Sequence, residues 1–218
     1  MTVAARARDT VALAFAAAAI SGVAVFVNGY GVRAVPDATI YTTAKNLVAA
    51  VLLTGVALVA AVSGRAQTVR VRPQHSPGSW LALAAVGLIG GSLPFVLFFE
   101  GLSRASSTHA AFLQKSLVIW VALLAVPLLG ERLRAAHVAA LVLLIGGLVV
   151  LDGGLRGFAF GPGELLVLAA TLLWAVEVVV AKRLLRDFAA QTVAVARMGL
   201  GVLVLLGWVA VSIALIMN

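Results

Sequence analysis

Cysteine is absent from this 218-residue chain, which excludes a disulfide framework, a thiolate metal site and a cysteine nucleophile. Charge is scarce as well: Asp, Glu, Lys and Arg make up 11% of the residues, and only 8 of them are acidic. The three histidines, His75, His109 and His137, are too widely spaced to suggest a metal-ligand cluster. No GxxxxGKS/T loop is present to cradle nucleotide phosphates, so ATP-driven chemistry by this chain alone is not expected. The GxSxG and HExxH motifs are missing, as are paired aspartates at catalytic spacing and a lysine in the last apolar segment for a Schiff base. An intramembrane enzyme or a retinal receptor is therefore disfavoured, and no cofactor is expected.

What fills the chain instead is hydrocarbon. Apolar residues account for 63% of it, and the mean hydropathy of +1.13 is far above what a water-soluble domain tolerates. A membrane-spanning helix needs about 20 apolar residues to cover about 30 Å of hydrocarbon. Seven stretches meet or approach this: Thr10–Tyr30, Thr39–Val62, Trp80–Leu102, Ser106–Leu129, Ala135–Leu151, Glu164–Leu185 and Thr192–Ile216. The fold class expected is thus an all-α polytopic membrane protein with seven transmembrane helices. Gly64–Ser79 is the longest polar gap, with Arg65, Arg70, Arg72, Pro73, Pro77 and Gly78, and reads as a linker.

A net charge of +8 would suggest nucleic acid in a soluble protein, but here the basic residues fall between apolar segments and orient the chain in a bilayer. With the N-terminus in the cytoplasm, Arg6, Arg8, Arg65, Arg70, Arg72, Arg132, Arg134, Lys182, Arg183 and Arg186 lie inside. Only Arg33, Arg104 and Arg156 then lie outside, a marked positive-inside bias. Seven spans place the C-terminus outside. A cleaved signal peptide in the first span would invert every later loop, against the charge count, so that span is read as retained.

Laid over each other with an offset of 152 residues, Thr43-Ala44-Lys45-Asn46-Leu47 faces Val195-Ala196-Arg197-Met198-Gly199. Each segment places one basic residue early in an apolar helix, after an alanine. The first unit begins inside and the second outside, so they are inverted relative to each other, as in many secondary transporters. The expected units are residues 1–152, a five-helix repeat, and 153–218, the first two helices of a second.

The segment Ser106–Leu151, and above all the Leu128-Leu129-Gly130-Glu131 turn followed by an apolar helix with a glycine pair, resembles the fourth and fifth helices of EamA-type drug/metabolite transporters. Lys45 and Arg197 are similar to the basic residue that this family places near the start of the second helix of each repeat. The resemblance implies a membrane secondary transporter, an exporter of small metabolites or amino-acid-like compounds by alternating access, with proton exchange as one energy source. It also implies ten helices in two inverted five-helix repeats, of which this chain would supply seven. A non-transporting interaction subunit or an inactive remnant of a longer protein is the competing expectation. The partners expected are a small-molecule substrate, the lipid bilayer, and a second copy or another chain completing the bundle; nucleic acid is not among them.

An ionisable side chain near the bilayer centre costs about 2.5–3.5 kcal/mol on insertion scales, which makes each one a functional candidate. Glu177 and Arg197 lie ten residues before and after Asp187 in the last interhelical turn, so both sit about 15 Å deep and can pair. Such a pair either pins two helices or acts as a coupling carboxylate held by an arginine. Lys115, about 14 Å inside the fourth span, is expected to face a cavity or pair with Glu177. Lys45, about 9 Å inside the second, is expected to snorkel to the outer surface. Glu100 reads as a solvated helix-end charge beside Arg104. His109, Gln114 and Trp174 complete the candidate pathway, His109 as relay or packing residue; Asn28, Tyr41 and Trp120 are further uncharged groups that could shape it. Trp80, Trp174 and Trp208 read equally as interfacial anchors. Gly90, Gly91 and Pro94 predict a break in the third helix, Pro127 a bend in the fourth, and Gly87-x-x-x-Gly91 a close helix crossing. Glu131 reads as structural, capping the next helix.

Overall fold

The computed structural model describes residues 3–63, 77–130, 135–151 and 160–216. Glu131, Arg156 and the basic linker after Gly64 lie outside the described residues. The described chain is helical, with α1 (Val3–Ala34), α2 (Ala38–Val62), α3 (Pro77–Ala85), a π-helical turn (Val86–Gly90), α4 (Leu93–Arg104), α5 (Ser107–Lys115), α6 (Leu117–Leu129), α7 (Ala135–Leu151), α8 (Pro162–Leu184) and α9 (Ala190–Ile216).

Six spans among these are long and apolar enough to cross a membrane: α1, α2, α3 through α4, α5 through α6, α8 and α9. The expected fifth span, α7, is an apolar helix of 17 residues. At 1.5 Å per residue it covers about 26 Å, just short of about 30 Å of hydrocarbon, and both of its flanks lie outside the described residues. The chain is a multi-pass membrane protein, and its long rows of exposed Leu, Val and Ile on α1, α2 and α9 are faces suited to lipid.

Helix ends follow local chemistry. Asp37 caps α2, its Oδ1 accepting from the backbone N–H of Thr39 at 2.6 Å and Ile40 at 3.1 Å. Ser106 caps α5 through the His109 N–H at 3.1 Å. Pro162 opens α8, and Glu164 reaches back to the Gly161 N–H at 3.1 Å. Gly130 ends α6 with φ of 67°, a left-handed conformation that glycine adopts freely.

The two ends of the bundle are tied separately. At one end Arg33 in the last turn of α1 donates to the carbonyls of Gly29 (3.1 Å), Leu102 (3.2 Å) and Ala105 (2.6 Å). This clamps the α1–α2 corner to the α4–α5 corner, where Glu100 pairs with Arg104 in an exposed contact. At the other end Ser79 donates to Asp187 Oδ2 at 2.8 Å, and Trp80 packs edge-on against Phe188. Arg183 donates to the Leu128 carbonyl, joining the C-terminal ends of α8 and α6.

Two glycine contacts bring the central helices together. A side chain on Gly101 of α4 would meet the Gly163 carbonyl at 2.7 Å, so α4 and α8 cross backbone to backbone there. A side chain on Gly91 would overlap the Arg197 carbonyl oxygen and lie 2.9 Å from the Gly201 Cα. The expected break of the third helix is present as the π-turn and the bend at Gly91–Ser92, and α9 packs into it. The fourth span is interrupted as well, at Ser116, whose N–H is shared between the carbonyls of Phe112 and Leu113, both at 3.2 Å.

Candidate functional site

The break in the third helix and the interruption in the fourth lie beside one cavity. Its volume is about 640 Å³, and its lining includes Phe95, Gln114, Leu117, Trp174, Glu177 and Arg197, with Lys182 and Leu185 at one extremity. Trp174 and Leu185 are eleven residues apart on one helix, so the cavity runs about 16 Å along α8, from its middle to the end tied to α3 and α6.

Glu177 and Arg197 meet at its wall, Arg197 Nε lying 2.5 Å from Glu177 Oε1. Matching depth on a hairpin thus becomes contact. The other carboxylate oxygen, Glu177 Oε2, is a buried acceptor without a donor. Gly90 makes room for the carboxylate: a Cβ on Gly90 would stand 2.5 Å from Glu177 Cγ and 2.6 Å from Cδ. The missing side chain in the π-turn is what lets Glu177 approach the broken backbone.

Two further cavity residues carry unmet polar atoms, Gln114 Oε1 and Trp174 Nε1. Unpaired buried polar groups each cost about 1–3 kcal/mol, so several around one space are unusual in a packed interior. Together they offer donors (Trp174, Arg197) and acceptors (Gln114, Glu177) to whatever enters. Phe95 and Trp174 stand edge to face with centroids 5.2 Å apart and form an aromatic wall.

The other anticipated residues lie around this centre. Lys45 Nζ is 4.9 Å from the Phe99 ring centroid and 5.9 Å from that of Phe95, so the ammonium rests on aromatic faces of α4. Lys115 donates to Ser21 Oγ of α1 at 2.8 Å; the carboxylate of Glu177 is held by Arg197 instead, and Lys115 is not among the residues lining the cavity. His109 sits at the clamped end of the bundle, its Nδ1 3.4 Å from Glu164 Oε1, well away from Glu177 along α8. Tyr41 donates to Asn28 Oδ1 at 2.7 Å, and Trp120 to Ser116 Oγ at 3.2 Å.

Three participants escaped sequence reasoning. Phe95 lines the cavity and receives the Arg197 guanidinium at 5.3 Å from its centroid. Asn46, fully buried, donates to the Gly91 carbonyl at 3.4 Å and leaves its own Oδ1 without a partner. Ser21 supplies the acceptor for Lys115. The available signals were position: Phe95 follows the helix-breaking Pro94, and Asn46 neighbours an intramembrane lysine.

Comparison with known proteins agrees with this architecture. The chain is 35% identical over 104 residues to the aromatic amino acid exporter YddG of Ancylobacter novellus, a match covering 45% of this chain and 36% of that relative. No solved structure gives a significant match. Residues 10–151 match the EamA-like transporter family, and the chain belongs to that family.

Proposed function

We propose that the chain exports small amino-acid-like metabolites carrying an aromatic group, by alternating access through the cavity beside Glu177 and Arg197. The observation that carries this reading is the cavity itself. Its volume of about 640 Å³ falls within the roughly 300–1,000 Å³ range of small-molecule sites. It joins an aromatic wall of Phe95 and Trp174 to three buried polar atoms without hydrogen-bond partners, on Gln114, Trp174 and Glu177, beside the Arg197 guanidinium. A ligand with an apolar ring and a zwitterionic end answers both features. The relative's described activity points the same way.

With the N-terminus in the cytoplasm, as the basic loops favour, the extremity at Lys182 and Leu185 is the cytoplasmic mouth. Substrate then enters from inside. Opening toward the other surface requires loosening the Arg33 clamp and the α4–α8 crossing while the mouth at Lys182 and Leu185 closes. Glu177 is the proposed coupling group: once substrate has left to the outside, the carboxylate takes a proton there, and it gives that proton up inside, where Arg197 pairs with it again and the next substrate competes for Arg197. Residues 1–152 and 153–218 are proposed as the two inverted units between which this motion takes place.

The test is flux in proteoliposomes containing the purified chain. Uptake or counterflow of L-phenylalanine or L-tryptophan that depends on a pH gradient, and is lost in Glu177→Gln while the protein remains folded, supports the reading. Binding without flux overturns the transporter assignment for this chain and favours an interaction subunit. Flux that persists in Glu177→Gln with the same pH dependence removes Glu177 from coupling.

A further inference from the structure

Among the described residues, four ionisable side chains occupy the middle of the spans: Lys45, Lys115, Glu177 and Arg197. Three are basic and one is acidic. Lys115 is directed to Ser21 on α1, Arg197 is paired with Glu177, and Lys45 rests on the Phe95 and Phe99 rings with no carboxylate of its own among the described residues. Charge in this setting is costly and is ordinarily paired. The region around the cavity thus carries one more cation than its carboxylate balances.

The two cations share a partner. Lys45 Nζ and Arg197 Cζ lie 5.9 Å and 5.3 Å from the same Phe95 ring centroid, and that ring lines the cavity. Their helices, α2 and α9, pack extensively against each other, and the 152-residue offset puts the two residues in register. Arg197 lines the cavity beside its partner Glu177, and the Trp174 Nε1 donor, which has no acceptor, lies on the same cavity. Donors and excess positive charge converge on the Phe95 side.

We infer that Lys45 and Arg197 together form an anion pole of the cavity, where the ligand's carboxylate is held by the guanidinium with Lys45 as the second cation. Phe95 is the hinge between them. Entry of the carboxylate neutralises the surplus charge and draws Arg197 from Glu177, whose freed oxygens, with Gln114 Oε1, remain for an ammonium group or a proton. A carboxylate is therefore a requirement of the ligand, whereas an amino group is not. The inference rests on the reading of this cavity as the substrate site, and it sets Lys45, which does not line the cavity in this state, as a specificity residue.

The experiment is ligand-induced thermal stabilisation of the purified 218-residue chain in detergent. The ligands are L-phenylalanine, 3-phenylpropionate, hexanoate, phenethylamine and hexylamine, each with wild type, Lys45→Met and Lys45→Arg. Expected is stabilisation by L-phenylalanine and 3-phenylpropionate and not by the amines. In Lys45→Met, the concentration of acid needed rises about tenfold or more, as loss of one charge-assisted contact implies, and Lys45→Arg restores most of it. Equal stabilisation by acids and amines overturns the inference, as does a Lys45→Met response identical to wild type or no stabilisation by any acid. If hexanoate works as well as the aromatic acids and loses its effect in Lys45→Met, the anion pole stands and the aromatic preference falls. Arg197→Gln leaves Glu177 without its cation, so the companion variant is Glu177→Gln/Arg197→Gln, which removes both charges. In it, acid-dependent stabilisation should be lost while the fold is retained, and acid-dependent stabilisation at wild-type concentrations would overturn the role of Arg197.

Discussion

Replacing Gly91 by alanine places a methyl group on the Arg197 carbonyl oxygen and 2.9 Å from the Gly201 Cα. Both neighbours are backbone, so no side chain can swing aside, and α9 must move away from the broken third helix. Overpacking of this kind costs about 1–3 kcal/mol, and the lower unfolded-chain entropy of alanine offsets up to about 1 kcal/mol of it. A net loss of about 1–2 kcal/mol corresponds to a drop of roughly 3–6 °C in the unfolding midpoint for a chain of this size. Gly207→Ala, on α9 itself, is the control, because a Cβ there meets nothing within 4 Å. It should melt at or slightly above the wild-type temperature. The readout is thermal unfolding of both variants in one detergent, followed by ligand titration, since a displaced α9 carries Arg197 away from Glu177. A Gly91→Ala protein as stable as Gly207→Ala would refute the backbone crossing and the placement of α9 that follows from it.

Arg33→Gln removes a cation that reaches three carbonyls of α1 and the α4–α5 corner; a loss of about 1–3 kcal/mol is expected in thermal unfolding, and an unchanged midpoint would show that the clamp contributes nothing. Ser21→Ala withdraws the hydroxyl that Lys115 donates to, so a comparable loss is expected, reversed in Ser21→Ala/Lys115→Met because the stranded charge is gone. Trp174→Phe deletes a buried N–H that has no acceptor; stability should stay within about 1 kcal/mol of wild type, while ligand-induced stabilisation weakens. Destabilisation well beyond that would mean the indole is a packing element first.

Much of the fold could be read from hydrophobicity alone, because a bilayer accepts few backbone solutions and long apolar runs then have one meaning. Depth was equally legible: counting ten residues from Asp187 along both helices brought Glu177 and Arg197 to one level, and they touch. Rotation was not. In a span such as Ser106–Leu129 nearly every face is apolar, so nothing in the pattern told that Lys115 turns to Ser21 on α1 while its neighbour Gln114 turns to the cavity. Glycine and proline predicted that the third helix breaks. They could not predict that the break takes the form of a π-turn, or that Gly90 is the residue against which Glu177 lies. Lys45 shows the same limit, since snorkelling and lying on two phenylalanine rings are equally compatible with its depth.

The glycines and the polar groups of this site depend on each other. A π-turn in a membrane-spanning helix frees backbone carbonyls that hydrocarbon cannot satisfy, and such backbone persists only where protein or a cavity answers it. Here Asn46 donates to the Gly91 carbonyl from α2, and the Glu177 side chain fills the space that Gly90 leaves. A side chain on Gly90 would displace the carboxylate that gives the cavity its negative charge, and one on Gly91 would push α9 off the break. Removing the carboxylate would leave two cations, Lys45 and Arg197, around one phenylalanine with nothing to balance them. The broken helix and the charged centre are one arrangement, placed where α2, α4, α8 and α9 converge. A ligand that shifts Arg197 therefore acts directly on the helix crossing at Gly91, because the Arg197 carbonyl is the group in contact there.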